Sequence, residues 1–470
     1  FLSPHIIFEP TYASKYPPGQ ALVLGAGEWL VHPWLGVLAS VAALIVAAGW
    51  AARAWLPPPY ALLATTLLAL RVGVMSYWTN SYWGGAVAAT GGALLLGALP
   101  RLDKRPKLLA GVLLGLGLGI LALSRPVEGL IYSVAALSAW AFPFFRAGGA
   151  KRVRGLLPAL GSGVVVVTAI LFWLAYYQYA VTGDPFTTPY RVWLDTHQSD
   201  GLRAPATPVN AGYKRFFEWT SQSVQQYSSL SSRAARMGFI VVSFFWCPIL
   251  AVFIVAAGPW LFTNRRVRLV AFAVLAPLLI WLLGMKLWVY SHYLAPLTVA
   301  MTILGVQAIR IFVVGVRRRF PRVRLNPNFL LAGLPVLLLG LNLVGLFLRN
   351  TDRLWTTPTY ETGWCCFPGA SERARVEQIL AGREGRHLVF VRNPPEGFAG
   401  TEWVYNSASI DDARIVWARE VSPEADCALR SYYPQRQVWV TYVGETPGRA
   451  VPFPDPACGT SESSPRMASQ

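Results

Sequence analysis

The sequence predicts an α-helical polytopic membrane protein of about ten spans with a small C-terminal α/β domain. Three observations carry this. Hydrophobic residues make up 54% of the 470-residue chain and charged residues only 14%, and the mean hydropathy is +0.42. That is too apolar for a soluble protein of this length. The apolar residues fall in blocks about as long as a bilayer-crossing helix. From about residue 350 the composition changes to mixed polar and β-branched sequence.

Reading for stretches of roughly 17 to 25 apolar residues gives candidate spans. They lie at about 33–53, 59–77, 83–99, 107–123, 127–145, 155–181, 237–262, 269–287, 293–316 and 328–349. The 155–181 and 237–262 spans carry no charge, whereas 83–99 and 107–123 are short and glycine-rich, suited to tilt, close packing or a partly re-entrant path. GLGLG at 115–119 lies inside an apolar span, where glycine serves helix packing rather than dinucleotide binding.

A net charge of +18 would suggest nucleic acid in a soluble chain. The charges instead alternate with the spans: Arg101, Lys104, Arg105 and Lys107; Arg146, Lys151, Arg152 and Arg154; Arg265, Arg266 and Arg268; Arg317, Arg318, Arg319, Arg322 and Arg324. Each cluster falls in a short loop on the same side of a ten-span arrangement. This is the positive-inside pattern, so that side is expected to be cytoplasmic and no nucleic-acid partner is expected. Residues 1–32, the turn 78–82, the loop 182–236, the turn 288–292 and everything after 350 then lie outside.

The motif-like residues gather on that outer side. SKYPPGQALV, from Ser14 to Val23, places Lys15 beside two prolines that stiffen the backbone, which suits phosphate binding or a snorkelling lysine at an interfacial helix. YWTNSYWGG, Tyr77 to Gly85, includes Tyr82 and Trp83, and much of it fits an aromatic interface belt. SRPVEG, Ser124 to Gly129, sets Arg125 and Glu128 three residues apart at a helix start with Pro126. Either they compensate each other as an ion pair, or Arg125 faces a cavity and meets an anionic head group. WVYSHYLAP, Trp288 to Pro296, puts His292 and Tyr293 at the mouth of the ninth span, a few residues after Lys286, with His292 either structural or in direct contact with a ligand.

The long loop 182–236 is punctuated by Gly-Asp-Pro and Thr-Pro, and FFEWTSQSVQQYSSLSSRAARM from Phe216 suits a helix on the membrane surface. Asp184, Asp195 and His197 are its candidate acceptor contacts; a solvated loop is the plainer reading. In the tail, a helix over 371–382, strands near 387–393, 413–420 and 437–444, and a second helix over 423–432 make a small α/β domain ending in a polar, disordered stretch. Of five cysteines, Cys247 reads as an apolar residue of a span, while Cys365, Cys366, Cys427 and Cys458 lie outside, where disulfides form but pairing is not readable. No phosphate-binding glycine loop, His-Glu-x-x-His or Gly-x-Ser-x-Gly is present, and the adjacent Cys365 and Cys366 lack zinc-finger spacing.

Taken together and in this order, SKYPPGQ, YWTNSYWGG, SRPVEG and SHYLAP resemble the membrane glycosyltransferases of the GT-C type, in particular bacterial relatives of the protein mannosyltransferase and aminoarabinose transferase group. The resemblance covers residues 8 to about 320. It implies a GT-C-like bundle, with domains at 1–32 (end of the first outer loop and an interfacial helix), 33–349 (transmembrane) and 350–470 (extracytoplasmic α/β). It also implies inverting transfer of a sugar from a polyprenyl-phosphate donor, its lipid tail in a groove between spans, to an extracytoplasmic lipid, glycan or protein acceptor, at a bacterial inner membrane whose lipids are a further partner.

In such enzymes a basic residue of the Lys-x-Pro-Pro region holds the donor phosphate. That role carries over to Lys15, with Tyr16, Arg125 and His292 expected beside it and Tyr82, Trp83, Glu128 and Tyr293 lining the cavity. The family's general base, usually an acidic pair on the first outer loop, has no match. The expectation is therefore that the acidic pair lies before Phe1 and that the chain as given is an inactive fragment, with Glu9 the one acid available as a substitute. No cofactor is assigned, although a divalent cation is compatible with a phosphate donor. A lipid-linked sugar flippase or other transporter, with Arg71 as its one deep charge, a non-catalytic membrane scaffold and a polyprenyl-dependent ligase are the alternatives.

Overall fold

Proline and glycine punctuate this chain where its helices start and bend. The computed structural model describes residues 5–74, 76–104, 106–142, 149–197, 218, 221–222, 224–284, 290–320, 327–350, 371–392, 403–407, 409–445 and 447–454. A two-stranded ribbon, β1 (Ile6–Ile7) and β2 (Ala13–Ser14), leads into α1 (Gly19–Leu30) and α2 (Pro33–Trp55). His32 caps α2 by accepting from the Trp34 N–H, with Pro33 in the first turn, where its missing N–H costs nothing.

The membrane array continues through α3 (Pro58–Leu68) with a π-helical extension (Ala69–Val74), α4 (Tyr77–Asn80), α5 (Ala86–Lys104), α6 (Leu108–Ser124), α7 (Pro126–Ala141) and α8 (Gly149–Thr182). After α9 (Pro189–His197) come α10 (Leu230–Ile240) with a second π-helical extension (Val241–Trp246), α11 (Cys247–Ala257), α12 (Arg265–Gly284), a 3-10 segment (Ser291–Leu297), α13 (Thr298–Arg319) and α14 (Pro327–Asn350). Every predicted span meets a helix. Among the described residues, four stretches are straight, long and apolar enough to cross a bilayer by length and composition: Pro33–Trp55, Val153–Thr182, Arg265–Gly284 and Ser291–Arg319.

The predicted single span 237–262 is corrected by the structure. Leu230–Trp246 and Leu250–Ala257 meet at 110°. Pro248 in the first turn of α11 and the π-helical turn before it supply the break. The second predicted span likewise ends in π geometry. These interruptions lie beside the turn at Tyr77–Asn80, where backbone carbonyls are taken up by side chains: the Ser76 and Thr79 hydroxyls both donate to Val72 O, at 2.7 and 3.0 Å.

Small residues let the helices approach closely, as expected for packing in lipid. A Cβ on Gly115 would lie 2.2 Å from Gly163 O of α8, and one on Gly92 would lie 2.0 Å from Pro296 O. GLGLG is thus a packing seam, and Gly92 lets α5 carry the SHYLAP segment directly on its surface. Helix direction sets the anchors and the basic clusters at opposite ends: α6 runs from Lys107 to Arg125, and α13 runs from the His292 end to Arg317–Arg319.

The tail domain matches its predicted elements. It contains α15 (Ser371–Ala381), β3 (Arg386–Arg392), β4 (Ile415–Arg419), α16 (Pro423–Tyr432), β5 (Arg436–Tyr442) and β6 (Val451–Pro452). The sheet order is β4-β3-β5-β6, with β3 parallel to both β4 and β5, and β6 antiparallel at the edge. Its central strand is buried on both faces: Val389 and Val391 join one apolar cluster, Leu388 and Phe390 the other. Cys427 is disulfide-bonded. Cys365, Cys366, Cys458 and the closing polar stretch lie outside the described residues. The protein is a polytopic helical membrane protein with a small α/β domain.

Candidate functional site

The four anchor motifs, far apart in sequence, meet at one end of the bundle. Tyr77, capped into place behind Ser76, has its hydroxyl 2.7 Å from Ser291 Oγ and 2.8 Å from His292 Nδ1. The His292 N–H also donates to that hydroxyl at 3.1 Å. His292 is buried, with Tyr290 stacked on it and Trp83 edge-on, each at 5.4 Å between ring centroids. Tyr293 packs on His292 at 4.8 Å and receives the Arg125 guanidinium on its face, also at 4.8 Å.

The structure shows the ion pair of the SRPVEG turn, and with it a ring contact that the sequence did not suggest. Arg125 Nη1 is 3.6 Å from Glu128 Oε1 while the same guanidinium lies over Tyr293. Arg125 is about a quarter exposed and Glu128 nearly buried, so the cation keeps an open side that the carboxylate lacks.

Lys15 differs most from its expected setting. Instead of lying at the membrane surface it is 4% exposed. Its ammonium sits 3.3 Å from the centroid of Trp193, 5.7 Å from that of Tyr190 and 5.4 Å from that of Tyr16. The proline-braced loop folds under α9, whose Trp193 joins Ile7 and Val181 in a small apolar cluster. Burial pulls the Lys15 amine down to about 7. The indole face of Trp193 works the other way, favouring the charged form. His5, whose Nδ1 is 2.9 Å from Tyr16 Oη, is lowered to about 4 by burial and then by the Lys15 charge, so it stays neutral beside the lysine. Burial first, and then Tyr293 and Tyr190, keep the Tyr16 phenol protonated, with Arg125 opposing them. Tyr16 is a half-exposed ring of the lysine box, its centroid 5.4 Å from the Lys15 ammonium.

The remaining candidates separate by exposure. Tyr82 and Trp83 are 47% and 44% exposed at the rim, whereas Tyr77 and Trp78 of the same motif are core residues rather than an interface belt. Glu9 is exposed between β1 and β2. Asp184 is used by its own turn, accepting from the Phe186 N–H and the Thr187 hydroxyl, and Asp195 pairs with Arg191 at 3.0 Å. Lys286 and most of 198–223 lie outside the described residues, as does the His197 side chain. Among the described residues no group of three His, Cys, Asp or Glu side chains could hold a metal ion.

Sequence reading singled out neither Tyr190 nor Trp193. The signal was present: they are three residues apart in PYRVWLDTH, on one face of a short helix whose Arg191–Asp195 pair lies on the other. Attention to ionisable groups in that loop passed over its aromatic ones.

No family model matches the chain, and no curated protein sequence matches it. Similarity is found in solved structures. The crystal structure of ArnT from Cupriavidus metallidurans in the apo state superposes with a TM-score of 0.50 at 14% identity, covering 92% of this chain and 83% of that one. The chain has a GT-C-like fold. The structure of the same enzyme bound to undecaprenyl phosphate gives a TM-score of 0.47 with the same identity and coverage. In this GT-C-like chain the four anchors and α9 together form a basic, aromatic-walled cluster at one end of the bundle.

Proposed function

We propose that the cluster is the donor side of a membrane glycosyltransferase site, in which a polyprenyl-phosphate-linked sugar gives up its sugar to an extracytoplasmic lipid, glycan or protein. One observation carries the reading: two cations, Lys15 and Arg125, each lie on aromatic faces at one end of a bundle with this fold. The donor phosphodiester bears one negative charge. As the bond between the anomeric carbon and the phosphate oxygen breaks, that oxygen keeps the electron pair and the phosphate gains a second charge. Cations fixed beforehand in a dry site stabilise the second charge more than the first, which is what accelerates the step. The acceptor hydroxyl oxygen attacks from the opposite face, inverting the anomeric centre, and its proton leaves to solvent or to the departing phosphate.

In this reading Lys15 and Arg125 bind the phosphate, Tyr16 and His292 orient it, and Tyr82, Trp83, Glu128 and Tyr293 shape the cavity. The positive-inside pattern supports an inner-membrane protein with this cluster and the tail domain outside the cytoplasm. The test is sugar transfer by the full-length protein in vesicles supplied with a polyprenyl-phosphate sugar. Lys15→Ala and Arg125→Ala are each expected to lower transfer by about 10²–10³-fold at unchanged expression, the loss typical of removing one such stabilising group. Transfer at the parent rate in both variants would overturn the assignment.

A further inference from the structure

The end of the bundle opposite the anchor motifs is basic, with almost no acid to balance it. Between Pro33 and Ser124 the sequence has one acidic residue, Asp103, and between Arg265 and Asn350 it has none. Asp103 accepts from Trp140 Nε1 of α7 at 3.0 Å. At this end α2 closes with Arg53 and α5 with Arg101. Among the described residues no carboxylate pairs with either.

An arginine at the end of a span ordinarily stretches toward water. Arg101 folds back instead. Its guanidinium lies 3.9 Å from the centroid of Trp50, with Nη1 donating to Gly97 O of its own helix at 2.6 Å and Nη2 to Trp50 O at 2.7 Å. The indole beneath it is fixed as well: a Cβ on Gly97 would lie 2.2 Å from Trp50 Cζ3, so α5 takes the ring on its backbone only because residue 97 is glycine. Two carbonyls and a ring thus hold this cation still, and the two bonds use two of its five N–H groups. Arg53 follows Trp50 by three residues, one turn further along the same face of α2, and its charge acts on that of Arg101. Like charges held together repel, and an anion placed between them relieves this.

The same face indicates what brings the anion. Counting back from Arg53 through Trp50, the exposed residues Val46, Ala43, Ala42 and Ala39 follow in steps of three and four, Val46 being 73% exposed. This apolar strip runs along Pro33–Trp55, a helix long and apolar enough to cross a bilayer, and it ends at the two guanidiniums. We propose that Arg53, Trp50 and Arg101 form a seat for an anionic phospholipid: the two guanidiniums take oxygens of its phosphate, Trp50 lies at head-group level, and an acyl chain lies on the Ala39–Val46 strip. Guanidinium and phosphate match in charge and in two-pronged geometry, and basic recesses between spans suit anionic head groups. The seat lies at the other end of the bundle from Lys15 and Arg125. The inference does not depend on the transfer reading.

The test is lipid binding by the purified full-length chain, stripped of lipid in a neutral detergent and titrated separately with phosphatidylglycerol, phosphatidylcholine and glycerol 3-phosphate. Phosphatidylglycerol is expected to bind more tightly than zwitterionic phosphatidylcholine; equal affinity in the parent chain would overturn the proposal without any variant. Arg53→Gln is expected to weaken phosphatidylglycerol binding about tenfold, as for loss of a charge-assisted hydrogen bond. Arg53 is exposed, so this variant keeps the Arg101–Trp50 contact and should unfold at the parent temperature. Arg268→Gln removes the same charge from the start of α12, at the same end, and is expected to leave binding unchanged. Equal losses in the two variants, or none in either, would overturn the proposal, because the arginines would then act only through the summed charge of that end. Glycerol 3-phosphate carries the head-group phosphate without chains and is expected not to compete; displacement of phosphatidylglycerol at comparable concentration would make this a seat for free phosphate and overturn the lipid assignment.

Discussion

Lys15 in the membrane domain and Arg373 in the tail are both buried cations lying on aromatic rings, yet their surroundings give them different work. Arg373 is held between Tyr405 and Trp417, at 3.7 and 4.2 Å, and its guanidinium is spoken for: Nε donates to Trp403 O at 3.0 Å, Nη2 to Tyr405 O at 3.2 Å, and Nη1 to Glu377 at 3.0 Å. It rivets the 403–405 segment to α15. Lys15 sits 3.3 Å above Trp193, in a box of rings whose burial draws its proton affinity down to about 7. Fixed carbonyls and a carboxylate make a cation structural. Aromatic walls hold one in place through their ring faces, a setting suited to an incoming phosphate.

This contrast can be broken or sharpened by measurement. The largest effect is expected for Lys15→Met: donor affinity, measured by isothermal titration in detergent with a polyprenyl-phosphate sugar, should fall by about 1.5–3 kcal/mol, the range for hydrogen bonds to charged groups. An unchanged affinity would leave Lys15 as structural as Arg373. Next, Arg373→Leu should destabilise the tail by about 1–3 kcal/mol, because buried carbonyls of Trp403 and Tyr405 lose their donor. It should appear as a lower melting transition of the tail with donor affinity intact; a parallel loss of affinity would merge the two roles.

A smaller effect is expected from pH. The donor phosphodiester does not titrate near neutrality, whereas Lys15 is charged below about 7 and loses its proton above it. Donor affinity should therefore be level at low pH and decline as pH rises through about 7, by at most tenfold per unit, or about 1.4 kcal/mol. Lys15→Arg keeps its charge and should flatten the profile. A level profile in the parent would place the lysine outside the phosphate's reach. The smallest effect is for Tyr77→Phe, which removes the hydroxyl joining Ser291 and His292. It should cost about 1 kcal/mol of stability in thermal unfolding of the full chain, with a tail transition that does not move.

Much of the architecture was legible in the residues alone. Hydropathy placed a helix at every predicted span, whereas the contacts of Arg125 with Tyr293 and of His292 with Trp83 emerge only in the structure. Alternating β-branched and aromatic residues marked β3, β4 and β5 within a residue or two. These are local signals, set by how much apolar length crosses a bilayer and by the two-residue period of a strand. The bent span was not legible, because a proline inside an apolar run reads equally as a kink or a tolerated bend.

What the sequence determined by itself is the class of molecule and the residue types available in its motifs. What only the tertiary structure decided is partnership. A lysine beside two prolines is an exposed cation until α9, contributed from more than 170 residues away, lowers Trp193 onto it. Arg71 is a stray charge until a second π-helical segment offers it Phe244 O. Burial and electrostatic environment depend on what packs from elsewhere in the chain, and no local pattern encodes that.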